Sequence, residues 1–309
     1  MMPALDAVLD RLEPEAPEAV ARGRLALRRA LAWTNDTAWP EVAWSFSELA
    51  DGLPIELVWR PGEPGLFWTA EPAAPEAPAA AERLARALAL AEAAGPTFAA
   101  TDRRLLAALA EAAPSPWPLW LAGRLSGDRD AAKLYVRLGP DNLGLAAHRL
   151  APLLPALRED DRPVMLGFEP GGGLELYWRR DARRPGDLHR LSQIPGMAPA
   201  AERLQRALRD WTGAGLDDAT GRRTGLSLKL DAAGRPSAAA AFLRASAVAP
   251  PGDLRRRLQD AGGDDRHALA DLWSEGCLRP LLLTLGATPH GVRPSLGLTL
   301  AKGGARPRP

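Results

Sequence analysis

The stretch Ala131-Ala132-Lys133-Leu134-Tyr135-Val136-Arg137-Leu138 alternates between apolar and polar side chains from Ala132 onward. Leu134, Val136 and Leu138 point one way; Lys133, Tyr135 and Arg137 point the other. Such a period of two marks a strand with one buried and one wet face, whereas the strands of a parallel α/β barrel run almost continuously apolar. Residues 118–125 lie just upstream, and Ser126-Gly127-Asp128 between the two runs is hairpin chemistry.

The unit recurs. Residues 54–60 turn through Pro61-Gly62-Glu63-Pro64-Gly65 into 66–71, and 163–169 turn through Pro170-Gly171-Gly172-Gly173 into 174–180. Residues 224–231 turn through Ala232-Ala233-Gly234 into 236–244, and 280–285 turn through 286–293 into 294–301. Helical patterns over 76–94, 101–112, 142–157, 198–211, 251–259 and 265–274 follow the first four hairpins, and 5–32 precedes them with breaks at Pro14 and Pro17. Five hairpin-plus-helix repeats predict an α+β fold: a closed antiparallel ten-stranded β-barrel ringed by helices. The helices cover the apolar strand faces, so the polar faces line a lumen wider than that of an eight-stranded barrel. An open sheet with a solvated polar face is the alternative. One domain over residues 1–301 is expected, with 1–42 as a helical lead-in and 302–309 as a flexible tail.

Composition narrows the function. With 309 residues and a formal net charge of +1, the chain has no basic excess for non-specific nucleic-acid binding. No apolar run is long enough for a transmembrane helix, and Asp6, Asp10 and Glu13 occupy a region that would be apolar in a signal peptide. Cys277 is the sole cysteine, which excludes an intramolecular disulfide and fits a cytoplasmic location. Arginine is abundant but lysine occurs only at Lys133, Lys229 and Lys302, and two of these fall on polar strand faces.

If the barrel closes, Glu56, Arg60, Lys133, Tyr135, Arg137, Glu175, Tyr177, Arg179 and Lys229 share one cavity. Cations outnumber acids there, and a partly enclosed cationic cavity suits an anion with several oxygens, such as a phosphate group. On spacing alone, a solvated face with cross-strand ion pairs explains the same residues.

The repeat order from about residue 51 to 300 resembles the ABBA-type (PT-barrel) aromatic prenyltransferases, including the indole dimethylallyltransferases. Two segments carry the likeness. Asp51-Gly52-Leu53-Pro54-Ile55-Glu56-Leu57 resembles the segment whose glutamate contacts the acceptor ring, and Ala132-Lys133-Leu134-Tyr135 resembles the Lys-x-Tyr strand that binds pyrophosphate and shields the allyl cation. The resemblance implies transfer of a dimethylallyl or geranyl group from its pyrophosphate to an aromatic or peptide side-chain acceptor. It also implies that no cofactor is required and that Mg2+ is non-essential, and the expected partners include neither nucleic acid nor membrane. It casts Glu56, Tyr135 and Tyr177 as catalytic, and Arg60, Lys133, Arg137, Arg179 and Lys229 as pyrophosphate ligands.

Departures from the pattern point to a second reading. The third hairpin has Gly173-Leu174-Glu175-Leu176-Tyr177 where the family places Arg-x-Lys-x-Tyr, and Leu66-Phe67-Trp68-Thr69 lacks the usual arginine. Tyr135 and Tyr177 are the only tyrosines, leaving Trp44, Trp68 or Trp120 as substitute shields. These differences fit a non-catalytic relative that binds a peptide or an anionic small molecule. A barrel of unrelated function with a solvated lumen is a third reading. Other motifs carry less. Asp160-Asp161 reads as a turn and Asp264-Asp265 as a helix cap rather than a metal motif. His148, His189, His267 and His290 lack metal-site spacing. Gly171-Gly172-Gly173 joins two strands and is not a phosphate loop, and no Gly-x-Ser-x-Gly elbow occurs.

Overall fold

The structure, a computed structural model, describes residues 3–36, 53–73, 80–93, 95, 97–114, 119–127, 129–157, 161–180, 187–213, 224–262 and 267–301. Five antiparallel hairpins follow one another along the chain: β1 (Ile55–Trp59) with β2 (Leu66–Ala70), β3 (Leu119–Ser126) with β4 (Arg129–Arg137), β5 (Arg162–Phe168) with β6 (Leu174–Arg180), β7 (Thr224–Leu230) with β8 (Pro236–Arg244), and β9 (Leu278–Thr288) with β10 (Gly291–Leu300). Each strand pairs with its chain neighbours, and β1 closes on β10 through Leu57↔Leu298, Val58↔Gly297 and Trp59↔Leu296. The ten strands form a closed barrel, as the repeat predicts.

Alternation decides what each face meets. Leu134, Val136, Leu176, Trp178, Leu228, Leu296 and Leu298 point outward and are at most 1% exposed. They pack against a shell of helices: α1 (Pro3–Leu12), α2 (Pro17–Ala30), α3 (Ala80–Glu92), α4 (Ala100–Glu111), α5 (Pro140–Leu150), α6 (Asp187–Ser192), α7 (Ala198–Thr212), α8 (Pro251–Gly262) and α9 (Ala268–Ser274). Burying each such leucine stabilises the fold by roughly 1.5–3 kcal/mol, so the main core lies between barrel and helices and the lumen need not be filled. Pro17 opens α2 at a helical position where its missing N–H costs nothing.

Prolines also shape the barrel. The ladder slips at three places: beside Pro163, where β5 meets β6; opposite Pro236, where β7 meets β8; and opposite Pro280, where β9 meets β10. A residue without an N–H cannot continue the ladder, and the extra residue bends the strand.

Some boundaries differ from the sequence reading. The expected helix over 142–157 ends at Leu150, because Pro152 and Pro155 permit only a short 3-10 turn, Leu154–Ala156. Helix α9 starts after His267, whose ring nitrogen Nδ1 accepts the Leu269 N–H at 3.2 Å and so replaces an aspartate cap. Residues Asp264-Asp265 lie outside the described residues, as do Asp160, Trp44 and the first two residues of the Asp51–Leu57 segment. The fifth hairpin is longer than expected. Its turn is only Pro289-His290, because Thr288 Oγ1 accepts the N–H groups of His290 and Gly291 at 3.2 and 3.3 Å.

Candidate active site in the barrel lumen

The polar strand faces enclose a cavity of about 1830 Å³. Glu56, Arg60, Tyr135, Arg137, Glu175, Tyr177, Arg179 and Lys229 line it together. Lys133 does not: it is 0% exposed and lies within the wall. Among the described residues the charged lining is dominated by arginines, opposed by Glu56, Glu63 and Glu175.

Glu56 lies on β1, at the closing seam. Its carboxylate rests against Gly297 of β10, where any side chain would collide with it, so glycine there makes the space the carboxyl occupies. Glu56 is 6% exposed, and its Oε2 has no hydrogen-bond partner. Burial without a compensating cation pushes its pKa up to about 8. Continuing the β1–β10 register places Thr299 opposite Glu56, and the Thr299 hydroxyl is also buried without a partner. Two open polar atoms thus sit side by side on the seam.

The opposite wall is saturated. Lys133 Nζ donates to Glu175 and, at 3.2 Å, to the Tyr177 hydroxyl, with Glu169 Oε1 at 3.6 Å. Burial pulls Lys133 towards its neutral form, but Glu175 and Glu169 outweigh it and keep it charged. Burial raises Glu175 too, yet Lys133 and the Ser227 hydroxyl, which donates to Glu175, bring it down to about 2. The pair forms across an intervening strand. Gly167 of β5 lies between Tyr135 and Glu175 in register, and a side chain there would strike the Lys133 stem. Beside this pair, Lys229 donates to Glu169 at 2.8 Å, and the two carboxylate oxygens lie 2.6 and 2.8 Å from its Nζ.

Aromatic faces cover this network. Tyr135 and Tyr177 meet edge-on at 5.8 Å, and Tyr177 meets Phe242 at 5.5 Å. Lys133 Nζ lies 5.3 and 5.4 Å from the two tyrosine ring centres. Trp120 joins Tyr135, Ala122, Met165 and Tyr177 in one cluster. Of the substitute shields considered, Trp120 faces the lumen. Trp68 does not: its indole lies on the helix-facing side across Gly123, as its outward parity on β2 requires.

The remaining cations divide between the two ends. At the hairpin end, Arg60 Nη1 donates to Glu63 at 3.2 Å and its guanidinium lies 4.3 Å over the Phe67 ring. At the end where strands run into helices, Arg137 and Arg179 line the cavity alongside Arg162, which pairs with Arg179 in register.

Sequence reasoning missed Glu169, Phe242, Arg124 and Gly297. Glu169 and Arg124 were recoverable, since each continues the lumen parity of its strand. Phe242 sits in an alanine-rich strand, and the need for Gly297 appears only once Glu56 is placed across the seam. Among the described residues no group of three metal-ligating side chains occurs, and no helix is long and apolar enough to cross a membrane.

No protein-family model matches the chain, and no curated protein matches it. Solved structures do. A 6-dimethylallyltryptophan synthase from Micromonospora olivasterospora, in complex with DMASPP and Trp, superposes with a TM-score of 0.74 at 19% identity, covering 99% of this chain and 98% of that one. A 5-dimethylallyl tryptophan synthase from Streptomyces coelicolor gives 0.67 at 18% identity over 96% and 93%. AnaPT from Neosartorya fischeri gives 0.63 at 14% identity over 98% and 93%. The chain shares the fold of these proteins over nearly its whole length, in agreement with the resemblance drawn from its motifs.

Proposed function

We propose that the protein transfers an allylic isoprenoid, dimethylallyl or geranyl, from its pyrophosphate to an aromatic or peptide side-chain nucleophile in the lumen. The observation that carries this reading is the placement of Glu56. It is a buried carboxyl with an open oxygen, in the same cavity as a cationic and aromatic wall. The solved complex of the Micromonospora synthase with DMASPP and Trp supports a donor and an acceptor of this kind.

The chemistry matches the residues. The allylic carbon–oxygen bond breaks with its electron pair going to diphosphate, and the lumen cations stabilise that leaving charge. The allyl cation needs π-faces, which Tyr135, Tyr177, Trp120 and Phe242 provide. An aromatic carbon attacks the allyl cation with a ring electron pair, and the ring then regains its aromaticity by giving its proton to the released diphosphate. In its ionised form, Glu56 accepts a hydrogen bond from an acceptor N–H or O–H and so enriches the ring. Turnover of dimethylallyl pyrophosphate with tryptophan, indoles and tryptophan- or tyrosine-containing peptides, with and without EDTA, tests the reading. Metal-independent product supports it; no product with any acceptor and donor overturns it. The reaction is assigned to the cytoplasm, consistent with the single reduced, buried Cys277.

One observation favours the second reading. Lys133 and Lys229 are already bound by Glu175 and Glu169. A barrel so neutralised fits a non-catalytic protein that holds a peptide or an anionic small molecule. Tight binding of an acceptor without turnover would select it.

A further inference from the structure

We propose that Arg124, flanked by Arg60, is the residue that grips the anionic group of the ligand, a diphosphate, at the hairpin end of the lumen. The inference rests on the donor reading above and assigns the anion site within it to a residue that no motif marks. Its basis is a difference in how the lumen cations are engaged. Lys133 is fully buried and committed to Glu175 and the Tyr177 hydroxyl. Lys229 is committed to Glu169. Arg124 lines the cavity from β3 with its side chain only 33% exposed, and it makes no hydrogen bond to any described residue. Its nearest carboxylate, Glu169, lies 3.7 Å away, outside hydrogen-bond distance.

The register shows what surrounds it. Phe67 of β2 lies between Arg124 of β3 and Val58 of β1, and the Arg60 guanidinium comes over the Phe67 ring at 4.3 Å. Two guanidiniums thus converge from the strands flanking β2, at the place where β2 itself offers Phe67 and Thr69 instead of a cation. Arg60 spends one of its N–H groups on Glu63; the planar fork of Arg124 is unspent. Such a fork matches two oxygens of a phosphate at once, which a lysine ammonium cannot do. Arg124 shares the lumen side of β3 with Trp120, whose register partner on β4 is Tyr135, and Tyr177 lines the same cavity. A diphosphate on its fork would therefore hold an attached allyl group against the tyrosine pair.

The test is calorimetric titration of the full chain with a non-ionisable dimethylallyl thio-diphosphate and, separately, with inorganic diphosphate. The variants are Arg124→Ala, Arg124→Lys and, at the opposite end of the lumen, the exposed Arg244→Ala, each checked by thermal unfolding. Arg124→Ala is expected to weaken the probe by about 10- to 100-fold. Arg124→Lys should recover only part of that loss, and Arg244→Ala should stay within about threefold of the wild type. Equal losses for both probes assign the diphosphate itself; a loss for the ester alone assigns the esterified form. Should Arg124→Ala fold poorly, Arg124→Lys carries the test, because a lysine that binds as well as arginine removes the fork from the site. If the wild type binds the probe and Arg124→Ala binds it equally, this assignment falls while the donor reading stands. If the wild type binds neither probe, both fall together.

Discussion

Two glutamates face the same lumen and behave in opposite ways. Glu56, on the β1–β10 seam, has no cation beside it and an oxygen without a partner, so burial alone governs it and holds its proton up to about pH 8. Glu175, on β6, is also largely enclosed, yet Lys133 and Ser227 hold it ionised down to about pH 2. Burial pushes both carboxyls towards the neutral form, and only Glu175 has a cation beside it that outweighs this. The barrel thereby places a carboxyl with an open oxygen on one wall and a satisfied ion pair on the other.

The largest effect is expected from breaking the satisfied wall. Lys133→Met leaves Glu175 buried and unpaired, and should cost about 3–5 kcal/mol in urea unfolding. Adding Glu175→Leu should recover most of that loss. A single variant as stable as the wild type would dissolve the contrast between the walls. On the open wall, Glu56→Gln should lower kcat/KM by about 100-fold or more. Wild-type kcat/KM should rise as pH passes the free enzyme's Glu56 value of about 8, and that limb should vanish in the variant.

Stability reads the same carboxyl with the opposite sign. The folded protein holds the Glu56 proton more tightly than the unfolded chain, so this contribution is intact below about pH 4.5 and is lost as pH rises to about 8. Glu56→Gln should therefore gain on the wild type between pH 5 and pH 9, by about 2–4 kcal/mol in thermal or urea unfolding. A constant difference would mean that Glu56 is ionised throughout. The smallest effect concerns binding. Glu175→Gln releases Lys133 from its carboxylate and leaves the lumen more cationic; diphosphate affinity should rise by about three- to tenfold, at some cost in stability. Weaker binding would show that Glu175 itself helps to hold the ligand.

Much of this was legible in the sequence, for a physical reason. Alternation assigns each side chain to a face without reference to any other strand, so the lumen set from Glu56 to Lys229 and the outward leucines could be read from single segments. The partnerships could not. Lys133 and Glu175 lie on strands separated by β5, and they meet only because Gly167 leaves a gap between them. Lysines that look like anion ligands on their own strands are thus already engaged, and Arg124, held only by a longer 3.7 Å ion pair with Glu169, comes from a strand without a motif. Turn chemistry failed at the fifth hairpin because Gly286, Pro289 and Gly291 all signal a turn, while a threonine hydroxyl decides which residues form it.

The closing seam has a kinetic meaning. Among the described residues, nine of the ten ladders join strands that are consecutive in the chain, and only β1 with β10 links its two ends, through three paired positions. Loop-closure entropy makes such a contact the slowest to gain, whereas each hairpin can zip locally. The ribbon of hairpins would then form first and the clasp last. Glu56 and Gly297 sit on that clasp, so this carboxyl finds its setting only when the final ladder closes. Pulse-labelled hydrogen exchange would report this order directly, with the amides of Leu57 and Leu298 gaining protection after those of Leu134 and Leu176.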